Sequence, residues 1–155
     1  MIWGYIFIAL IAAATAYILY AGDREARLAI LTLVGGSVLT IVAVYNSGQY
    51  YESANALVGL VDFAILGVFL WLSLASRRYW TLCLPALQAI VCITHVAKLI
   101  APDIIPRAYV AAQGHWSYYQ ILLIVTAAHM HSVRRKLLRE WIRSRTPSGD
   151  RTRNV

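Results

Sequence analysis

Four side chains of this 155-residue sequence place polar or ionisable chemistry inside runs that are otherwise apolar: Asp62, Gln88, His95 and Lys98. An isolated carboxylate in such surroundings costs several kcal/mol unless it is paired or protonated, so Asp62 needs a partner or its proton. His95 and Lys98 are three residues apart and share a helix face. Gln88, about two helical turns from His95, extends a polar path along the same helix. The plainer reading, which is preferred, is an interhelical ion pair or hydrogen bond that fixes helix register. The sharper one is a proton-accessible or ligand-binding cluster. A third leaves Lys98 snorkelling alone, with Asp62 protonated or facing water.

Other chemistry is sparse. His115, His129 and His131 are of a type that binds haem or metals. However, no histidine pair faces at equal depth, and no carboxylate or cysteine accompanies them at metal-ligand spacing, so no cofactor or metal site is expected. Cys83 and Cys92 sit too far apart along one helix to bridge and read as small apolar fillers. There is no nucleophile elbow, no phosphate-binding glycine loop and no pair of carboxylates, so no catalytic residue and no enzyme is expected. Tyr5, Tyr45, Tyr50, Tyr51, Tyr109, Tyr118, Tyr119, Trp3 and Trp116 cluster near segment ends. There, amphipathic rings anchor a helix at a membrane interface. A docking platform for a partner or a quinone-like ligand is the rarer alternative.

The elements that must position these groups follow from composition. Hydrophobic residues make up 60% of the chain and charged residues 14%, well below the roughly one quarter charged in an average soluble domain. The uncharged runs are too long and too many for one small aqueous core. The expected fold is an all-α membrane protein with about five transmembrane helices, spanning 2–21, 28–45, 54–75, 79–100 and 112–131. A cleaved leader ending near Ala14-Thr15-Ala16 is disfavoured because no Lys or Arg precedes the first run. Gly35, Gly36 and Ser37 give the second span a small-residue face for close helix packing. Pro102 and Pro106 break the chain between spans four and five. Gln113-Gly114-His115 interrupts the fifth run, and a four-span chain in which that segment only dips into the bilayer is the alternative.

Charge orients the bundle. Of fourteen Lys and Arg residues, eight follow Ser132, and Arg24, Arg27, Arg77 and Arg78 fall on the same side, against Lys98 and Arg107 on the other. By the positive-inside bias this is N-out/C-in. It also brings Asp62 level with His95 and Lys98. Beyond the bundle (1–131), residues 132–145 read as a basic amphipathic helix in the cytoplasm. Val133, Leu137, Leu138, Trp141 and Ile142 form its apolar stripe. Arg134, Arg135, Lys136, Arg139 and Arg143 would bind anionic lipid headgroups as it lies along the inner surface. A plain extension of helix five is the alternative. Residues 146–155 have nothing to bury and read as disordered. The basic charge is a membrane signal here, and nucleic acid is not an expected partner.

At Arg77-Arg78-Tyr79-Trp80-Thr81-Leu82, at Thr94-His95-Val96-Ala97-Lys98-Leu99 and at Trp116-Ser117-Tyr118, the chain resembles a loose group of small bacterial multi-span inner-membrane proteins. That resemblance implies a bacterial inner membrane and carries no activity. The first functional expectation is a non-catalytic accessory or oligomeric component of a membrane complex, with other membrane subunits or its own copies as partners. The alternatives are a small proton- or ion-coupled transporter or channel built on the Asp62, His95 and Lys98 cluster, and a holin-like permeabilising protein.

Overall fold

A computed structural model of the chain describes residues 2–47, 56–100 and 106–145, with side-chain surroundings for 5–46, 56–100 and 115–145. Five helices follow one another: α1 (Ile2–Ala21), α2 (Arg24–Ser47), α3 (Ala56–Ala75), α4 (Trp80–Ile100) and α5 (Pro106–Arg145). Three of them, over Arg24–Asn46, Ala56–Ala75 and Trp80–Ile100, are long and apolar enough to cross a membrane. In α1 the apolar stretch among the described residues is shorter, Tyr5–Ala21.

Local chemistry explains where these helices begin and end. Gly22 closes α1, its N–H bonded to the Ile18 carbonyl at 2.8 Å. A Cβ there would collide with that carbonyl group, so only glycine fits the turn. Asp23 then caps α2: its Oδ1 accepts the Ala26 N–H at 3.0 Å, and its carbonyl accepts the Arg27 N–H at 3.0 Å. This cap starts α2 at Arg24 instead of at the expected Leu28, and Glu25 in the first turn complements the helix dipole. Pro106 opens α5 at the one helical position where a missing N–H costs nothing. Loop residues 101–105 and the tail 146–155 lie outside the described residues.

Two expectations for α5 differ from what is found. The Gln113-Gly114-His115 segment does not interrupt the helix, because one glycine costs only about 1 kcal/mol in a helix interior and α5 has 40 residues to absorb it. Nor does the chain change element at 131–132. The basic segment 132–145 continues α5 without a break, the extension that the sequence left as the alternative to a separate surface helix.

The helices pack as a bundle in which α3 lies between α2 and α4, and α5 closes the assembly against α1, α2 and α4. Its interior is divided along the axis. Towards the end that carries the α1–α2 and α3–α4 turns, Ile18, Ala26, Ile30, Phe69, Leu72, Leu84, Ile124 and Ala128 form one apolar core to which all five helices contribute. Arg78 of the α3–α4 turn pairs with Asp23 of the α1–α2 turn and lies 3.8 Å from Glu25, tying the two turns together. Towards the other end the interior becomes polar. Among the described residues the outer surface of the bundle is largely apolar, with Ile8, Leu31, Ile41, Leu60, Leu74, Ile93 and Leu122 all exposed.

Gly36 and Gly35 differ sharply although they are neighbours. A Cβ on buried Gly36 would run into Cδ1 of Ile65 on α3 and lie 2.9 Å from its Cγ1, whereas one on Gly35 meets nothing within 4 Å. Ser37 donates to the Leu33 carbonyl of its own helix at 2.8 Å. Gly36→Val is therefore expected to destabilise the bundle by about 1–3 kcal/mol through overpacking, and Gly35→Val to leave it unchanged. Unfolding titrations with a denaturing detergent check the pair, and Ile65→Ala should restore much of the loss in Gly36→Val.

Candidate functional site

The inward face of α4 explains how its polar groups come to line up. Its buried residues include Thr81, Leu84, Gln88, Val91, His95 and Lys98, which alternate steps of three and four and so make one straight seam along a packed helix. Four of the six are polar. The residues flanking the seam, such as Leu82, Ile93, Val96 and Leu99, are exposed and apolar. The sequence thus turns the polar stripe of α4 into the bundle and its hydrocarbon surface outward.

Asp62 of α3 meets that seam. His95 Nε2 lies 2.7 Å from Asp62 Oδ2. Gln88 Nε2 donates to Asp62 Oδ1 at 3.1 Å and to the Asp62 backbone carbonyl at 3.2 Å. The side chains of His95 and Asp62 are 7% and 17% exposed, so little solvent screens the pair. The Asp62 backbone carbonyl only accepts, and this fixes the direction of the Gln88 amide. Gln88 must turn its NH₂ towards Asp62, which leaves its Oε1 to accept, and Gln120 Nε2 of α5 donates to that oxygen at 2.8 Å. The donors therefore run from Gln120 to Gln88 to Asp62, with His95 approaching from the other side. One carboxylate draws three helices together.

Gly59 makes room for the imidazole. It stands one turn from Asp62 on α3, and a Cβ there would touch the His95 ring at 3.5 Å from Nδ1. A methyl group there sits at ordinary contact distance from the ring. Lys98 is buried on the His95 face, one turn further along α4.

Of the residues singled out by sequence, Asp62, His95 and Gln88 are thus brought into direct contact, with Lys98 beside them on the same seam. The other histidines lie elsewhere. His129 Nδ1 is 3.0 Å from the Tyr17 hydroxyl of α1, and His131 Nδ1 is buried near the last apolar turn of the α5 bundle segment. Among the described residues no three His, Cys, Asp or Glu side chains converge as a metal site would require. Trp116 and Tyr119 stack at 5.7 Å, and Phe7 meets Tyr118 edge-on at 5.4 Å, near the polar end of the bundle. Tyr50, Tyr51, Tyr109 and Trp3 lie outside the residues whose side chains are described.

Gln120 is the member that sequence reasoning missed. It sits among Tyr118, Tyr119, Ile121 and Leu122, a context that reads as interfacial anchoring. The signal that could have found it is the one that found Gln88, an amide inside an apolar run. It is 1% exposed.

Comparison with protein-family models, with curated proteins and with solved structures finds no match to this chain. What the cluster does must therefore be argued from its own geometry.

A charged His95–Asp62 pair should couple more strongly than the neutral Gln88–Gln120 pair. Interhelical hydrogen bonds between neutral groups in membrane proteins are worth about 0.6 kcal/mol on average and reach roughly 1.7, while charge-assisted bonds are about twice as strong as neutral ones. Double-mutant cycles with Asp62→Asn and His95→Gln, and with Gln88→Leu and Gln120→Leu, read by detergent unfolding, should give the larger coupling for the first pair.

Proposed function

We propose that this chain is a small multi-span integral membrane protein, with five spans, its amino terminus outside and its carboxyl terminus in the cytoplasm. It acts as a non-catalytic structural component of a membrane assembly. The observation that carries this reading is the inversion of the bundle. Its polar side chains Asp62, Gln88, His95, Lys98 and Gln120 are turned inward, while large apolar side chains beyond those of the core, such as Ile8, Leu31, Leu60, Ile93 and Leu122, are exposed on every helix. An exposed apolar surface of that extent suits lipid and other membrane helices, and not water.

Two further features support the topology. Arg24, Arg27, Arg77, Arg78 and the described basic segment 132–145 fall on the end of the bundle where the apolar core lies, which the positive-inside bias assigns to the cytoplasm. The described part of α5 from 115 to 131 packs on α1, α2 and α4 as fully as a span would, with Gln120, Ile121, Ile124 and Ala128 buried. The apolar half of α5 is joined to a basic half, which dilutes the hydropathy of the whole helix. The resemblance to small bacterial inner-membrane proteins favours that membrane as the location. The hydrogen-bonded cluster serves as an interhelical lock: its donors already converge on the carboxylate.

Impermeant-thiol labelling in a background lacking Cys83 and Cys92 tests the topology. Cysteine placed at Asn46 should react from outside intact cells, and cysteine at Ser76 or Ser144 only after the membrane is opened. Labelling of positions 46 and 144 from the same side would contradict five spans. Native mass spectrometry in mild detergent should show self-association or a bound membrane subunit. A monomer at all concentrations with no partner would remove the assembly role.

A further inference from the structure

The basic half of α5 is where structure and sequence reading part most clearly. A helix rises 1.5 Å per residue, so 40 residues span about 60 Å, twice a hydrocarbon core of about 30 Å. With 115–131 in the bundle, the segment 132–145 runs on for about 21 Å along the same axis. The headgroup layer beyond the hydrocarbon is only about 6 Å deep on each side. An average span tilt of about 20° shortens the projection very little. Laying this segment on the membrane surface would require a sharp bend, and sharp bends in helices come from proline, paired glycines or an extra residue in the helical ladder. None occurs between His131 and Arg145, where the helix is uninterrupted.

From Leu137 on, about 9 Å past His131, the apolar stripe is thus carried beyond the headgroups. Leu137, Leu138 and Trp141 are exposed by 53% to 61% among the described residues. Arg134, Leu137, Leu138 and Trp141 line a shallow hollow on this face. The Arg145 guanidinium lies 4.3 Å from the centre of the Trp141 ring, which fixes a cation at its edge. The opposite face carries Arg135, Lys136, Arg139 and Arg143, with Glu140 the one acid. A second copy laid on the apolar face would bring Arg134 and Arg145 against like charges, a cost and not a gain.

We propose that residues 132–145 form a docking helix for a protein partner in the cytoplasm, and that the partner's contact segment is an acidic amphipathic helix. Its apolar stripe covers Leu137, Leu138 and Trp141, and its carboxylates meet Arg134 and Arg145, the cations that border this hollow. This deepens the assembly role above and rests on the membrane reading.

The full chain in lipid nanodiscs, with Leu137→Cys spin-labelled in a background lacking Cys83 and Cys92, tests it. The probe is a synthetic helical peptide with leucine at its heptad core positions and glutamate at the flanks. The label should stay open to a water-soluble relaxation agent in both phosphatidylcholine and phosphatidylglycerol-rich discs. The peptide should immobilise it, more weakly as salt is raised, and Arg134→Glu/Arg145→Glu should weaken binding roughly tenfold. The proposal is overturned if the label moves into lipid in the anionic discs, if labels of two copies come together without peptide, or if the peptide leaves the label mobile. A label at Leu122→Cys should be lipid-exposed. Were it exposed to water instead, the membrane reading would fall, and this proposal with it.

Discussion

A carboxylate within an apolar helix must be met by donors, and the position of Asp62 dictates much of how this bundle is put together. The acid stands on α3, its donors on α4, and the donor behind them on α5. Because the Asp62 backbone carbonyl only accepts, the Gln88 amide has one usable orientation, and that in turn leaves one role for Gln120. Specificity of this kind is what apolar packing lacks in a membrane, where lipid tails are as hydrophobic as leucine and sliding one helix past another costs little. A one-residue slip of α4 would turn His95 and Gln88 away from Asp62 together. The lock thus sets both the rotation and the depth of three helices.

The rest of the interior follows from dividing labour along the bundle axis. One half is held by shape, with Ile18, Ile30, Phe69, Leu84 and Ile124 fully buried and Gly36 admitting Ile65. The other half is held by hydrogen bonds. At the apolar end the two turns are tied by the Arg78 bridge to Asp23, a residue that also caps α2. Asp23 therefore has two tasks, and its charge serves both: it completes the helix start and it anchors the neighbouring turn.

Much of this architecture was legible in the residues alone. Charge-free runs marked the helices, and the tally of basic turns set Asp62, His95 and Lys98 at one depth, which is why their proximity could be expected before any coordinates. The alternating three-and-four spacing from Thr81 to Lys98 was also present in the sequence as a straight seam. What could not be read was contact between distant segments. Nothing local to Gln120 says that it reaches Gln88, and nothing local to Arg78 says that its partner is Asp23. The start of α2 was misplaced because Arg24 and Arg27 look like turn residues until Asp23 is recognised as a cap. Residues 132–145 read as a separate surface helix because amphipathic basic segments commonly lie flat on membranes. Continuity of α5 is a property of the whole helix, not of the segment.

The central claim is that Asp62 is satisfied by groups on neighbouring helices inside a bilayer, not by water or lipid. Solid-state NMR on the full chain in lipid bilayers, with labelled aspartate, histidine and glutamine, measures this directly. Through-space transfer should link the Asp62 carboxyl carbon to His95 Nε2 and to Gln88 Nε2, with assignments confirmed by loss of the signals in Asp62→Asn. An Asp62 carboxyl that correlates only with water or lipid protons would contradict the account.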